Sequence, residues 1–218
     1  MRINLLKKIY NNIFYRKIYW RFTGMLDNDE NIRKQIDKSL RLPRRKVLID
    51  IIKNLSDCKS FFEIGCAKGT NLILIKSNFP NTYVSGCDVS KTLISQGNRY
   101  DKNLNLKKIS FKNLNKFKSI PKADFVFSMD SLYLCDHNQI QETLKEIVKL
   151  SKKYIYIQEQ QCRDKNIKSD GKNLIHDYES IIKKLGNYEL KKFDFPEFAE
   201  NFPPVLFYHS SYLFILKE

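Results

Sequence analysis

The chain has few of the residues that stabilise small disulfide-rich or metal-bound proteins. Its 218 residues include five cysteines and three histidines, and no Cys-x-x-Cys or Cys/His pair has the spacing of a metal site. An odd number of widely spaced cysteines does not form a disulfide framework either. This pattern argues against a secreted disulfide scaffold and a zinc module, and it favours a reduced, cytoplasmic setting.

Long apolar runs are also missing. No run approaches the roughly 20 residues that an α-helix needs to span a bilayer. The first residues lack a signal peptide with a small-residue cleavage site. We therefore expect a cytoplasmic protein without a membrane span.

Acidic residues are in deficit: 24 Asp and Glu stand against 39 Lys and Arg, which gives a net charge of +15. Such a balance suits nucleic acid, an anionic membrane or an acidic substrate. The lysines are nevertheless spread along the chain, which favours a generally basic surface. The length indicates one domain of ordinary size with a short appendage.

Glycine is scarce, with seven in the chain, yet two of them lie in one short segment. Phe61, Phe62 and Ile64 form the short apolar run of a buried strand, and Gly65 and Gly69 follow on either side of Ala67. Backbone without a side chain can approach a ligand closely. Asp88 ends a second predicted strand, where a doubly wound sheet places a carboxylate against ribose hydroxyls. The segment predicts a nucleoside-cofactor site.

The residue before the first glycine points to the kind of cofactor. Glu63 would repel the pyrophosphate of a dinucleotide, but it suits a ligand that carries an ammonium group. The run Glu63-x-Gly65-x-Ala67-x-Gly69 resembles the first motif of the class I S-adenosylmethionine-dependent methyltransferases, an acidic residue followed by G-x-G-x-G. Ala67 replaces the middle glycine. Asp88 matches that family's second motif, and the resemblance covers residues 46–217.

The resemblance implies a Rossmann-like α/β fold: a doubly wound, seven-stranded, mostly parallel sheet with an antiparallel C-terminal hairpin. Predicted strands at 188–195 and 208–217 follow the last predicted helix and fit this hairpin, whereas a dehydrogenase would continue with parallel βαβ units. We expect residues 1–45 to be an N-terminal helical extension and residues 46–218 to be the methyltransferase domain.

The cofactor implied is S-adenosyl-L-methionine, its amino-acid end at the glycine turn, its ribose at Asp88 and its adenine near Asn113. Asn115 is a second candidate for the adenine contact. The alternative to both candidates is that this segment is a plain turn that does not contact the cofactor. We expect Thr70 or Asn71 to cap the helix after the glycine turn. The predicted cofactor-binding residues are Glu63, Gly65, Ala67, Gly69, Asp88, Val89, Asn113, Leu114 and Ser128.

The carboxyl end of the predicted strand 123–129 should meet the transferred methyl group. Asp130 follows it and is either a general base for a hydroxyl nucleophile or the cap of the next turn. His176 is the second candidate base, with a structural role as its alternative. The Asn/Asp-Pro-Pro-aromatic signature of amino-methyltransferases is absent, and no acidic cluster implies a metal. We predict O-methylation of a small molecule or sugar. The alternatives are an RNA methyltransferase that uses the basic surface and a non-catalytic domain that binds cofactor or a partner.

Residues 1–22 contain six basic and no acidic residues. A helix there would either lie on an anionic membrane surface or dock on the domain as a lid. The imperfect segregation of its apolar face favours docking. The apolar residues that share this face are Leu6, Ile9, Tyr10, Ile13 and Trp20. A second basic cluster at Arg41, Arg44 and Arg45 either holds a phosphate-bearing substrate or is a solvated surface.

Overall fold

Seven strands form one sheet in the computed structural model, which describes residues 13–25, 27–55, 57–116, 120–162, 166, 168–169, 174–195 and 207–217. The strand order is β3-β2-β1-β4-β5-β7-β6. Strand β7 pairs antiparallel with β5 and β6, and the other pairs are parallel. The predicted fold, including the C-terminal hairpin, is confirmed. The strands are β1 Ser60–Ile64, β2 Tyr83–Asp88, β3 Leu106–Lys108, β4 Ala123–Met129, β5 Ser151–Cys162, β6 Tyr188–Phe195 and β7 Phe207–Leu216.

Helices cover both faces of this sheet. They are α1 Ile13–Phe22, α2 Asp29–Leu40, α3 Pro43–Lys53, α4 Thr70–Asn78, α5 Lys91–Tyr100, α6 Gln139–Leu150 and α7 Tyr178–Lys183. Short 3-10 turns occur at Lys102–Leu104, Phe111–Lys116 and Leu132–Leu134. Within the described ranges, no helix has the length and apolar character needed to cross a membrane.

The core lies in two layers, one on each face of the sheet. Neighbouring residues Phe61 and Phe62 of β1 point to opposite layers, as alternating strand residues must. Every residue of β4 is buried, which is typical of a central parallel strand covered by helices on both faces. The sheet is therefore a rigid platform, and ligands meet it at the carboxyl ends of its strands.

Several local predictions hold and others do not. Ser90 caps α5, since its Oγ accepts a hydrogen bond from Leu93 N at 3.3 Å. The predicted cap at Thr70 or Asn71 is wrong: Gly69 occupies the N-cap of α4. The third strand is short, from Leu106 to Lys108. Of the predicted N-terminal helix, Leu6, Ile9 and Tyr10 lie outside the described residues.

Candidate active site

A cavity of about 840 Å³ opens at the carboxyl ends of β1, β2 and β4. Helices α1, α2 and α3 supply the opposite wall, through Tyr19, Trp20 and Arg21 of α1, Ser39 of α2, and Arg44 and Arg45 of α3 among others. Of the predicted site residues, the cavity lining includes Glu63, Gly65, Ala67, Asp88, Val89 and Asp130. The sequence motifs therefore meet in one place, at the edge where open α/β sheets bind ligands.

The glycine turn forms the floor of the cavity. Gly65 has φ +76°, and a Cβ built on it would lie 2.2 Å from Ser131 Oγ, so no side chain fits there. Ala67 also has positive φ, at 48°. Its N–H donates to Asp88 Oδ2 at 3.0 Å, which helps to hold this conformation. Gly69, with φ +74°, starts α4 and is not among the lining residues.

Glu63 is 1% exposed and lines the cavity. Asn71 Nδ2 donates to its Oε1 at 2.5 Å, while Oε2 has no hydrogen-bond partner among the residues described. Burial raises the pKa of Glu63 to about 8, against the smaller opposing effects of the Asn71 hydrogen bond and the Arg45 charge. The buried oxygen therefore suits a cationic donor.

Arg45 supplies a buried positive charge on the same cavity. Its Nη1 donates to the Ser39 carbonyl at 2.7 Å, and its Nε has no partner in the described part of the chain. Burial, followed by the neighbouring Arg44 charge, lowers the pKa of Arg45 to about 10. An open carboxylate oxygen and an open guanidinium N–H on one cavity suit a ligand with both an ammonium and a carboxylate group.

Asp88 lies at the end of β2 and uses both oxygens to fix the loop around it. Oδ2 accepts from Ala67 N, and Oδ1 accepts from Ser90 N at 2.8 Å. Burial raises the pKa of Asp88, and the backbone N–H groups oppose that effect. A carboxylate has about four lone-pair sites, so it can still accept hydrogen bonds from a ligand's hydroxyls.

The loop after β3 differs from the prediction. Neither Asn113 nor Leu114 is among the cavity-lining residues, and Leu114 is buried in the core. Ser110 and Phe111 line the cavity instead. β3 ends at Lys108, so Ser110 and Phe111 come soon after the strand, whereas Asn113 and Leu114 lie further along, in the 3-10 turn Phe111–Lys116. Roles for Asn113 and Leu114 stay predictions.

Asp130 directly follows β4 and has φ +52°. Its N–H donates to the Gln158 carbonyl at 2.9 Å, and its Oδ2 pairs with Arg44 Nη1 at 2.7 Å. Ser128, predicted at the cofactor, is fully buried beneath this turn, with its Oγ 2.7 Å from Ser131 Oγ. Ser128 therefore supports the cavity floor from below.

Glu159 is a residue that sequence reasoning missed as part of the site. Its Oε1 accepts from the N–H groups of Ser131 and Leu132, each at 2.7 Å, so it holds the turn after β4. Burial, and then the Asp130 charge, raise its pKa to about 8. Its position just after the apolar run 154–157 of β5 was the available signal.

His176 is not among the residues that line the cavity. It is buried, its Nε2 lies 3.1 Å from the Cys135 carbonyl, and its ring packs against His137 with centroids 5.0 Å apart. Burial and the His137 charge lower the pKa of His176 to about 4, so the ring is neutral near pH 7. A catalytic role for His176 stays a prediction without geometric support.

The N-terminal segment covers the cavity. Trp20 Nε1 donates to the Tyr133 hydroxyl at 3.1 Å, which ties α1 to the turn after β4. Gln96 Nε2 donates to the Gly24 carbonyl at 2.7 Å, which ties the following turn to α5. Lys68 reaches from the glycine loop to Asp27 at 3.4 Å. These contacts fit the docked, lid-like interpretation of this segment.

No group of His, Cys, Asp and Glu residues within the described ranges is arranged to hold a metal ion.

Comparison with known proteins finds a family model that matches part of the chain and solved structures with a similar fold. Residues 61–154 match a family model described as methyltransferase domain. None of the curated proteins matches the sequence. An O-methyltransferase family protein from Burkholderia thailandensis superposes with a TM-score of 0.65 at 10% identity, over 92% of this chain and 64% of that one. The chain thus spans slightly less than two thirds of that protein's length.

Two further solved structures cover nearly the whole chain. Magnesium protoporphyrin IX methyltransferase from Synechocystis PCC 6803, with bound S-adenosylmethionine, has a TM-score of 0.57 at 12% identity, over 98% of this chain and 96% of that one. The plantazolicin methyltransferase BpumL, in complex with S-adenosylhomocysteine, has a TM-score of 0.60 at 16% identity, over 97% and 99%. At these identities the likeness concerns the fold.

Proposed function

We propose that this chain is a class I S-adenosylmethionine-dependent methyltransferase and that it methylates a hydroxyl group of a small molecule or sugar. The cavity at the strand ends, which helices α1 and α2 partly cover, is the observation that carries this proposal. Its volume of about 840 Å³ falls in the range of small-molecule pockets, about 300–1,000 Å³, and helices α1 and α2 cover it. A polymer substrate would need a more open surface.

The residues present fit the cofactor. Glu63 would receive its ammonium group, because the buried Oε2 has no partner in the described chain. Arg45 would receive its carboxylate, and Asp88 its ribose hydroxyls. Ser110 and Phe111 are the wall residues in the position expected for the adenine. When bound, the sulfonium group supplies a methyl group that is already activated for transfer.

The chain's own tasks are therefore to align the acceptor and to exclude water. We assign proton acceptance from the acceptor hydroxyl to Asp130, which lies at the end of β4 and lines the cavity. Arg44 orients this carboxylate through their 2.7 Å ion pair. Tyr19, Trp20 and Tyr133 line the cavity and would shield the acceptor from solvent. A cytoplasmic location, favoured by the cysteine pattern, belongs to this proposal.

Turnover on a library of hydroxylated small molecules tests the proposal, with transfer of a labelled methyl group as the readout. Asp130→Asn should lower kcat by about 10²–10⁴-fold on an accepted substrate, with cofactor affinity retained. Unchanged kcat would remove the base role. A structured RNA run in parallel tests the alternative supported by the +15 charge: methylation of RNA only, with affinity that falls steeply with salt, would replace the small-molecule acceptor.

A further inference from the structure

The docked helix α1 turns an apolar stripe outward. Ile18, Phe22 and Met25, spaced by four and three residues, are 42%, 56% and 64% exposed. This spacing puts Ile18 and Phe22 on one side of α1, and Met25 follows the helix beyond Gly24, whose φ of +82° ends the helical geometry. Trp20 binds Tyr133 on the domain. Docking on the domain therefore leaves this large apolar surface uncovered by the described residues.

The stretch of sequence that contains Ile18 and Phe22 carries charge of one sign. Residues 1–22 carry Arg2, Lys7, Lys8, Arg16, Lys17 and Arg21 and no acidic residue. The next acidic residues along the chain are neutralised by ion pairs: Asp27 with Lys68, Asp29 with Arg99, and Glu30 with Lys34. The segment therefore presents apolar side chains within a basic stretch, with no unpaired acid close by in sequence.

From these two observations we propose that α1 binds the surface of an anionic lipid bilayer. Basic residues attract acidic headgroups, and exposed apolar side chains enter the interface between headgroups and acyl chains. Ile18 and Met25 favour lipid over nucleic acid, since single-stranded nucleic acid binds aromatic rings on which its bases stack. This surface is separate from the transfer reaction, and the proposal holds whatever the acceptor is.

Helix α1 contributes to both features. Its residues Tyr19, Trp20 and Arg21 line the cavity, while Ile18 and Phe22 are in the outward stripe. Binding of α1 to a bilayer would therefore bring the cavity close to the lipid surface.

Vesicle co-sedimentation of the full chain tests the proposal. We expect wild type to sediment with vesicles of equimolar phosphatidylcholine and phosphatidylglycerol, and to stay in solution with phosphatidylcholine alone. The triple variant Ile18→Ser, Phe22→Ser and Met25→Ser should reduce the bound fraction at least tenfold. Tyr83→Ser is the matched control. Tyr83 is similarly exposed, at 47%, but it is the first residue of β2 and lies at the amino ends of the strands, away from the cavity at their carboxyl ends.

Circular dichroism and thermal unfolding of each variant confirm that it folds, without using cofactor binding. Absence of wild-type binding to the anionic vesicles would overturn the proposal. So would equal loss in the triple variant and Tyr83→Ser, or binding unaffected by the triple variant. Retention of a single-stranded RNA oligonucleotide through the same three side chains, with no vesicle binding, would assign the surface to nucleic acid instead.

Discussion

At the scale of single residues, the environment of Glu63 gives the strongest indication of the charge of the ligand. It is buried in the cavity wall with one oxygen bonded to Asn71 and the other unpaired in the described chain. An unpaired buried carboxylate destabilises the free protein. A cationic ligand group would remove that cost, so the same feature that weakens the free protein strengthens the complex.

Glu63→Gln should therefore weaken S-adenosylmethionine binding by about 10–100-fold, the equivalent of about 1.5–3 kcal/mol for a hydrogen bond to a charged group. The same variant should raise the melting temperature of the free protein at pH 8, because the amide carries no charge. Calorimetric titration and thermal unfolding measure the two effects. Glu159→Gln is the matched control: it removes an equally buried carboxylate that is not among the cavity-lining residues, and it should leave the affinity unchanged. An equal loss in both variants would refute the role given to Glu63.

The affinity for the cofactor should also depend on pH. Burial raises the pKa of Glu63 to about 8 in the free protein, so below that pH the carboxyl must release its proton to receive an ammonium group. Affinity should therefore increase from pH 6 towards pH 8, by at most about tenfold per pH unit for one proton. Titrations across this range in wild type and Glu63→Gln check it, and a slope that persists in the variant would assign the proton to another group.

At the scale of elements, the hydrogen bond from Trp20 to Tyr133 joins α1 to the turn after β4. Tyr133→Phe removes it and keeps the ring. We expect this variant to release the cofactor several-fold faster, consistent with the roughly 0.5–1.5 kcal/mol of one hydrogen bond. Trp20 is the single tryptophan of the chain and lines the cavity, so its fluorescence can follow release in a stopped-flow experiment. An unchanged release rate would mean that α1 does not act as a lid.

The glycine turn offers a second test at this scale. Gly65 and Gly69 both have positive φ, but an added Cβ lies 2.2 Å from Ser131 Oγ at Gly65 and 3.1 Å from Leu106 Cδ1 at Gly69. Gly69→Ala should cost about 1–3 kcal/mol of unfolding free energy, from backbone strain. Gly65→Ala should cost about 1–3 kcal/mol more, from overpacking. Denaturant unfolding measures the loss of unfolding free energy in both variants. Equal losses would show that the Ser131 side chain moves to accommodate the added methyl group at position 65.

The sequence predicted the sheet elements well where apolar runs are bounded by clear breaks. Strands β4 and β6 match their predicted bounds, since Asp130 follows the apolar run of β4 and Pro196 follows β6. The prediction failed where a tertiary contact decides. Asn71 could not be recognised as the partner of Glu63, because that contact depends on how α4 packs behind β1. Ser110 and Phe111, which line the cavity after β3, were not recognised for a similar reason: where β3 ends depends on its short pairing with β2.

At the scale of the whole molecule, two buried carboxyl groups make stability fall as pH rises. Burial raises the pKa of Glu63 and of Glu159 to about 8, well above the value of about 4.5 expected in an unfolded chain. Between these values the native state holds protons that the unfolded state has released, so folding is favoured at the acidic end. The lowered pKa of His176, about 4, has the opposite effect below about pH 6.5.

Comparison of Glu159→Gln with wild type isolates one of these groups. The free energy of unfolding of the variant, relative to wild type, should increase with pH between about 4.5 and 8, by at most about 1.4 kcal/mol per pH unit. Urea unfolding at a series of pH values gives this difference directly. A difference independent of pH would mean that Glu159 ionises with its ordinary pKa.

The most direct test of the account is calorimetric titration of S-adenosylmethionine and S-adenosylhomocysteine into wild type and Asp88→Ala. The account predicts micromolar binding at one site per chain, weakened about tenfold or more, or about 1.4 kcal/mol, in the variant. Unfolding measurements on Asp88→Ala serve as its control, because Asp88 also binds the backbone of Ala67 and Ser90. Absence of binding by folded wild type would contradict the account.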